Sequence, residues 1–308
     1  MDSVSGTPSD GSGSLPERKM LGPRILAASM VLRVGYPQPF KHGNQWQYHS
    51  RSDHHSKVAC WGLLFDFLRH CPLARAHATG GKIGFGLNHE MRDFGTDRKK
   101  NLDLVICTPG PDRPDRKRDR KTFAEQAHDI GIILDDATEA MLSKLPVLRE
   151  CPVGSVHIAV EAKACMTAFS KAKPRLYDEL NSSHSTIHGN SIHAIAVGLS
   201  LVNIAEEFVS PGKNDFALSE RDPEVTVHNQ PRDAQGLIEK LNQLPRRTRD
   251  HEEGFDVFAI TVVNCRNDGS QVHVSEDKPA PQAGEKYHYE TNIHRLRQLY
   301  EQRFQNAG

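Results

Sequence analysis

What this sequence lacks narrows it first. It has no excess of charge of either sign: Lys plus Arg number 39, and so do Asp plus Glu. A protein held on nucleic acid by a uniform positive field would be more basic, so nonspecific coating of DNA is disfavoured. A local basic groove beside an acidic site is still compatible, because the two cancel in the sum. The six cysteines (Cys60, Cys71, Cys107, Cys151, Cys165 and Cys265) form no CxxC pair. That argues against a structural zinc site and for buried free thiols. No apolar run approaches the roughly 18 residues of a membrane span. The first residues, MDSVSGTPSDGSGSLPERKMLG, lack the basic-then-apolar order of a signal peptide. Together these absences point to a cytoplasmic protein without a membrane partner, and no internal repeat is evident.

What is present suits a globular fold. Hydrophobic residues make up 37% and charged residues 25% of 308 positions, enough for one large domain or two modest ones. Residues 1–22 carry too few large apolar groups to offset ordering and read as a disordered tail. From 23 to 308 the chain reads as one domain. Val58, Trp61, Leu64, Phe65 and Leu68 recur at helical spacing and predict a helix over about 52–70, with Ser52 or Asp53 as its cap. Strands are predicted over 82–88, 101–107, 153–164, 192–203 and 255–264, and helices over about 138–150, 167–181, 233–244 and 290–304. Pro174 marks a kink or a second helix start. Residues 210–231 read as irregular. The alternation predicts an α/β fold, a central mixed sheet flanked by helices on both faces.

Two strands carry acids where apolar residues would be cheaper. In Val156 to Lys163 the two-residue period puts Val156, Ile158, Val160 and Ala162 on one face, and His157, Ala159, Glu161 and Lys163 on the other. On the earlier strand Leu102, Leu104 and Ile106 point one way, Asp103 and Val105 the other. Burying a carboxylate and an ammonium is costly without partners or a purpose. If the strands are neighbours, Asp103 and Glu161 converge on one site beside Lys163. Two carboxylates and a lysine can cut a phosphodiester: hard oxygens hold Mg²⁺, and the lysine orients water or offsets transition-state charge.

Asp103 followed by Glu161-Ala162-Lys163 resembles the PD-(D/E)XK signature of restriction-endonuclease-like nucleases. The order of elements from about 52 to 203 resembles that family too. Leu102 stands where the signature has Pro, and the long interval between the acids makes 109–152 an insertion. The resemblance implies Asp103 and Glu161 as metal ligands and Lys163 as the catalytic lysine. It implies Mg²⁺, with Mn²⁺ able to substitute, as cofactor of an endonuclease on double-stranded DNA in restriction or phage defence. A third ligand is left open among Asp53, His55, Asp66 and Glu90. Cutting both strands takes two active sites, which implies a homodimer or higher homo-oligomer, with the C-terminal helix and the insertion as candidate interfaces. The alternative is a nuclease-like module that binds DNA or protein without cutting, and a nuclease acting on RNA is a third possibility.

Other polar groups have plainer readings. The run PDRPDRKRDRK (111–121) is a solvated loop or touches phosphate through Arg113, Arg116, Lys117, Arg118, Arg120 and Lys121. Lys171, Lys173 and Arg175 border the expected groove, and Arg246 and Arg247 form a second basic patch for phosphate. His184 and His188 stand four apart, but Gly189-Asn190 follows, so they read as loop or surface histidines. Trp46 and Tyr48 either stack on a base or pack into the fold.

Overall fold

The structure, a computed structural model, describes residues 19–111, 120–249 and 251–306. It is α/β. Six strands form one mixed sheet: β1 (Gly84–Arg92), β2 (Lys99–Pro109), β3 (Val153–Cys165), β4 (Ile195–Asn203), β7 (Val257–Asn264) and β8 (His273–Val274), in that spatial order. β1 to β3 are antiparallel, β3, β4 and β7 run parallel, and β8 closes the far edge antiparallel. β5 (Glu207–Val209) and β6 (Val225–Val227) make a separate small ribbon, with β6 inside the region expected to be irregular and β5 just before it.

Helices cover both faces. On one lie α1 (Gly22–Ser29), α2 (His54–His70) and α8 (Tyr289–Phe304), over Leu104, Ile106, Ile158, Val160 and Val197. On the other lie α6 (Phe169–Asn190) and α7 (Arg232–Leu241), over Val105, Ala159, Ala196 and Ile260. β4 is buried from end to end, as a central parallel strand with both faces covered must be. α2 is buried on more than its predicted stripe: Leu63 and Phe67 are covered as well. The short α3 (Pro72–Thr79), α1 and α8 pack around it.

Several expectations are corrected. Order begins before the predicted tail ends: Met20 is buried, and the N–H groups of Leu21 and Gly22 donate to Asp66. Residues 1–18, and with them most of that tail, lie outside the described residues, as do Arg113, Arg116, Lys117 and Arg118. The helix expected over 138–150 is replaced by α4 (Phe123–Asp129) and α5 (Asp136–Leu142). Thr122 and Glu125 form a capping box for α4, and Asp135 caps α5. α6 continues past 181 to Asn190, through Pro174 and both His184 and His188. Those two histidines are mostly buried, not on loops.

The alternation along β3 is also interrupted. Ile106 pairs with Ile158, but Cys107 pairs with Val156. His157 is therefore an extra residue on β3, a β-bulge, which turns the strand over. Val156 packs into the α6 layer, while His157 stacks on Phe304 of α8 at 4.1 Å, the reverse of the simple period-two reading. Beyond the bulge the predicted faces hold, with Val160 and Ala162 in the α2 layer.

Candidate active site

The site lies where β2 and β3 part. Leu104 and Val160 are the last of their paired residues. One residue beyond, the Asp103 carboxylate takes over from the backbone: its Oδ2 accepts the N–H of Ala162 at 2.8 Å. Asp103 thus stands opposite Glu161. Leu102, expected beside Leu104, packs in the other layer. At the same level of β1, Asn88 adopts φ +49°.

Glu161 is 1% exposed. Its Oε1 lies 2.7 Å from Lys163 Nζ and 3.7 Å from Lys100 Nζ. Neither Glu161 oxygen has a hydrogen bond of good geometry among the described residues. α6 closes one side: Glu179 Oε2 is 3.7 Å from Lys163 Nζ, and the Lys100 ammonium donates to the Glu179 carbonyl and to Ser182 Oγ. The start of α2 closes the other. The Ser56 hydroxyl, 2.8 Å from the Asp53 carbonyl oxygen, also faces the Asp103 carboxylate. His55 sits near Lys163.

The charges are mutually dependent. Burial, then the neighbouring Asp103, pushes Glu161 above the ordinary glutamate range, against the pull of Lys163 and Lys100. Burial also raises Asp103, offset in part by the Ala162 N–H and Lys163. Burial works to lower Lys163, but Glu161 outweighs it and the ammonium is held charged. Lys100 is lowered by burial. His55 falls to about 3 through burial, His54 and Lys163, so its imidazole is neutral at physiological pH.

Among the third-ligand candidates, Asp53 stands closest in chemistry. Its Oδ1 is buried with no hydrogen-bond partner, its Oδ2 is 3.0 Å from Lys57 Nζ, and it is near enough to add to the rise in Asp103. Asp66 and Glu90 are not at the site. Asp66 is engaged by Leu21, Gly22 and Arg69 at the far end of α2, and Glu90 is exposed and paired with Lys99. The donors available are hard oxygens, three of them buried without a hydrogen bond, a set that fits Mg²⁺. No group of three or more His, Cys, Asp or Glu side chains is close enough to hold an ion by itself among the described residues. Mg²⁺ does not need one, since it keeps several waters and takes substrate oxygens beside one or two carboxylates.

The basic residues divide. Arg175 is 79% exposed and pairs with Glu179, which ties the first turns of α6 to the site; Lys171 is exposed on the same helix. Arg246 and Arg247 are corrected. Arg247 is 1% exposed and donates to the carbonyls of Arg249 and Ile192 and to His188. Arg246 donates to the Phe258 carbonyl and lies over the Tyr287 ring. Both brace the fold; Arg247 is shut away from phosphate, whereas Arg246 is only partly buried. Trp46 and Tyr48 are core residues. Lys100, Ser56, Glu179 and Ser182 were not anticipated. The last two had a signal: Arg175, Glu179 and Ser182 recur at helical spacing as a polar stripe on α6.

Comparison with protein-family models, with curated proteins and with solved structures finds no match to this chain.

Proposed function

We propose that this chain is a Mg²⁺-dependent endonuclease that hydrolyses phosphodiester bonds of double-stranded DNA, of the restriction-endonuclease-like kind, and works in the cytoplasm in restriction or phage defence. One observation carries the reading. Asp103 and Glu161 stand on adjoining strands where the strands separate, near enough for Asp103 to raise the Glu161 pKa, and among the described residues the buried Glu161 carboxylate meets ammonium groups but no backbone or hydroxyl donor. A purely structural carboxylate at that depth would be expected to have backbone or hydroxyl donors on its other lone pairs as well. With α3 before β1 and the insertion helices α4 and α5 before β3 set aside, the order α2, β1, β2, β3, α6, β4 supports the same reading, since it is the order that the PD-(D/E)XK resemblance implies. No helix of the described residues is long and apolar enough to cross a membrane.

Asp103 and Glu161 would hold the metal, with Asp53 at the edge of the set. Bound there, Mg²⁺ or Mn²⁺ supplies neutralisation of the phosphate and a lowered pKa for coordinated water. Lys163, kept charged by Glu161, orients the attacking water and offsets the negative charge that grows on the phosphate. Lys100 adds a second positive charge, braced by α6. His55, neutral, adds none. Cleavage of both strands calls for two such centres and so for a homodimer or higher oligomer. The apolar side of α8 is already used inside the chain, whereas the insertion leaves Ile133 and Val147 exposed, which makes it the better interface candidate.

Plasmid DNA incubated with Mg²⁺ tests this. Wild type cuts, while Glu161→Ala and Lys163→Ala do not. Unchanged cleavage by both variants removes the proposed centre. A second reading rests on the same contact: the Glu161–Lys163 distance is also that of a plain ion pair, as in a nuclease-like module that binds DNA or protein without cutting. A gel shift without metal-dependent cleavage supports that reading. Parallel digests of duplex DNA, single-stranded DNA and RNA identify the substrate.

A further inference from the structure

Beside the acidic centre, the loop 36–51 and residues 211–215 line a cleft of about 440 Å³, a size typical of ligand sites. The aromatic residues of this loop divide in two. Trp46 and Tyr48 are buried, although Trp46 still contributes to the cleft wall. Phe40 and His49 instead stack on each other along the cleft, with centroids 4.7 Å apart and planes 16° from parallel, and both are partly exposed. A solvent-facing ring pair adds little to the core, yet offers a flat apolar surface to another flat ring.

The His49 ring behaves as an aromatic and not as a cation. Its Nδ1 accepts the Arg51 N–H at 3.1 Å, which leaves the proton of the neutral imidazole on Nε2. Burial, then Arg51, lowers its pKa further. Arg51 and Lys41 place positive charge at the rim, and Lys41 is steadied by Asp215 at 2.9 Å. The cleft adjoins the acidic centre through a short chain of contacts. Tyr36 lines the cleft, its hydroxyl accepts from Lys57 Nζ at 3.3 Å, and Lys57 is 3.0 Å from Asp53 Oδ2.

We infer that this cleft is a nucleobase subsite: it holds one base of the strand that crosses Asp103 and Glu161, drawn out of its stack onto the Phe40–His49 rings, with Arg51 and Lys41 beside the adjoining phosphate. The placement of the strand rests on the nuclease reading. Ring stacking accepts any base, and the rim cations contact backbone, so the subsite selects no particular base and lets a long strand shift in register.

The full chain carrying Glu161→Gln, without Mg²⁺, is titrated with end-labelled oligonucleotides in which an abasic spacer is stepped along the strand. On the shortest oligonucleotide that still binds, which leaves no room to shift register, one position should respond, with binding weaker by about five- to 150-fold, the range for one lost base stack. Phe40→Ala should give the same loss on the intact oligonucleotide and no further loss on the responsive abasic one, and Phe40→Tyr should retain tight binding. The subsite is overturned if Phe40→Ala, with its melting temperature unchanged, weakens intact and abasic oligonucleotides equally or neither. Absence of any binding overturns it too. Cleavage of the same oligonucleotides by wild type with Mg²⁺ is read in parallel. Cleavage without the Phe40 pattern removes only the subsite, whereas the Phe40 pattern without cleavage removes only the nuclease activity.

Discussion

A buried glutamate met only by two lysines, with no backbone or hydroxyl donor among the described residues, is a liability to the metal-free protein. Burial and Asp103 raise the Glu161 pKa in the folded state. A group whose folded pKa is raised contributes stability below its unfolded value and loses it as pH rises through the folded value. Metal-free protein therefore loses stability as pH climbs out of the ordinary carboxylate range. Glu161→Gln imitates the protonated form but also removes the counter-charge that holds Lys163 ionised, so the two effects offset and near neutral pH it should melt close to wild type. Its cleavage rate should fall by at least about a hundredfold, since groups that merely support a metal ligand already cost about ten- to a hundredfold. A glutamine variant that melts well below wild type at neutral pH would mark Glu161 as a structural ion-pair partner. Magnesium acts on the same group with the opposite sign, because it binds only the ionised carboxylate. Mg²⁺ should raise the melting temperature of wild type more at neutral than at mildly acidic pH. EDTA should reverse the rise, and Glu161→Gln should show none; an equal rise in both proteins would place the ion elsewhere.

Elements show why part of this molecule could be read in advance. Asp103, Glu161 and Lys163 were legible because strands alternate, and a charge at an alternate position of an otherwise apolar strand stands out. The side on which His157 lies was not. The bulge exists only in the register of β3 against β2, and neither strand alone records it. α4 and α5 were legible in principle from Thr122, Glu125 and Asp135, whose capping chemistry is local, but the adjoining run of mixed charge masked them. Arg246 and Arg247 could not be placed, since a basic pair reads alike in solvent or in a nest of distant carbonyls. The docking of α4 has its own test. Trp61 of α2 stacks on Phe123 at 4.5 Å and on Phe65 at 5.3 Å, and its indole N–H donates to the Phe123 carbonyl at 3.0 Å. Trp61→Ala should cost about 3–5 kcal/mol and open the segment 120–150 to limited proteolysis. Trp61→Phe keeps the stack but strands the carbonyl, at about 1–3 kcal/mol. Equal protease resistance in wild type and Trp61→Ala would mean that the insertion is anchored by other contacts.

The whole molecule is tied together away from the acidic centre, by a buried knot of charge around Asp256. Asp256 is 1% exposed. Its carboxylate accepts the Ala196 N–H at 2.9 Å and Arg303 Nη2 at 2.7 Å, and its carbonyl accepts Arg295 Nε at 2.6 Å. Arg295 also donates to the carbonyl of Arg247, whose own guanidinium reaches His188 near the end of α6. Helices from opposite layers, α6 and α8, thus meet at the N-terminal ends of β4 and β7, the two strands that complete the sheet beside β3. Removing the carboxylate leaves Arg303 and its neighbours buried with less compensation, and breaking such a pair by deleting one partner costs about 3–5 kcal/mol. Asp256→Ala should therefore lower the denaturant midpoint of global unfolding. None of the proposed reacting groups belongs to this knot, so the specific activity of the folded fraction should stay within about twofold of wild type when assayed well below the transition. Arg303→Met, which removes a charge but leaves Asp256 the Ala196 N–H, should destabilise less than Asp256→Ala. An Asp256→Ala protein of unchanged midpoint would show that apolar packing of Leu296, Tyr300 and Phe304 holds α8 in place without the knot, and loss of activity in a fully folded Asp256→Ala protein would show that the two regions are coupled.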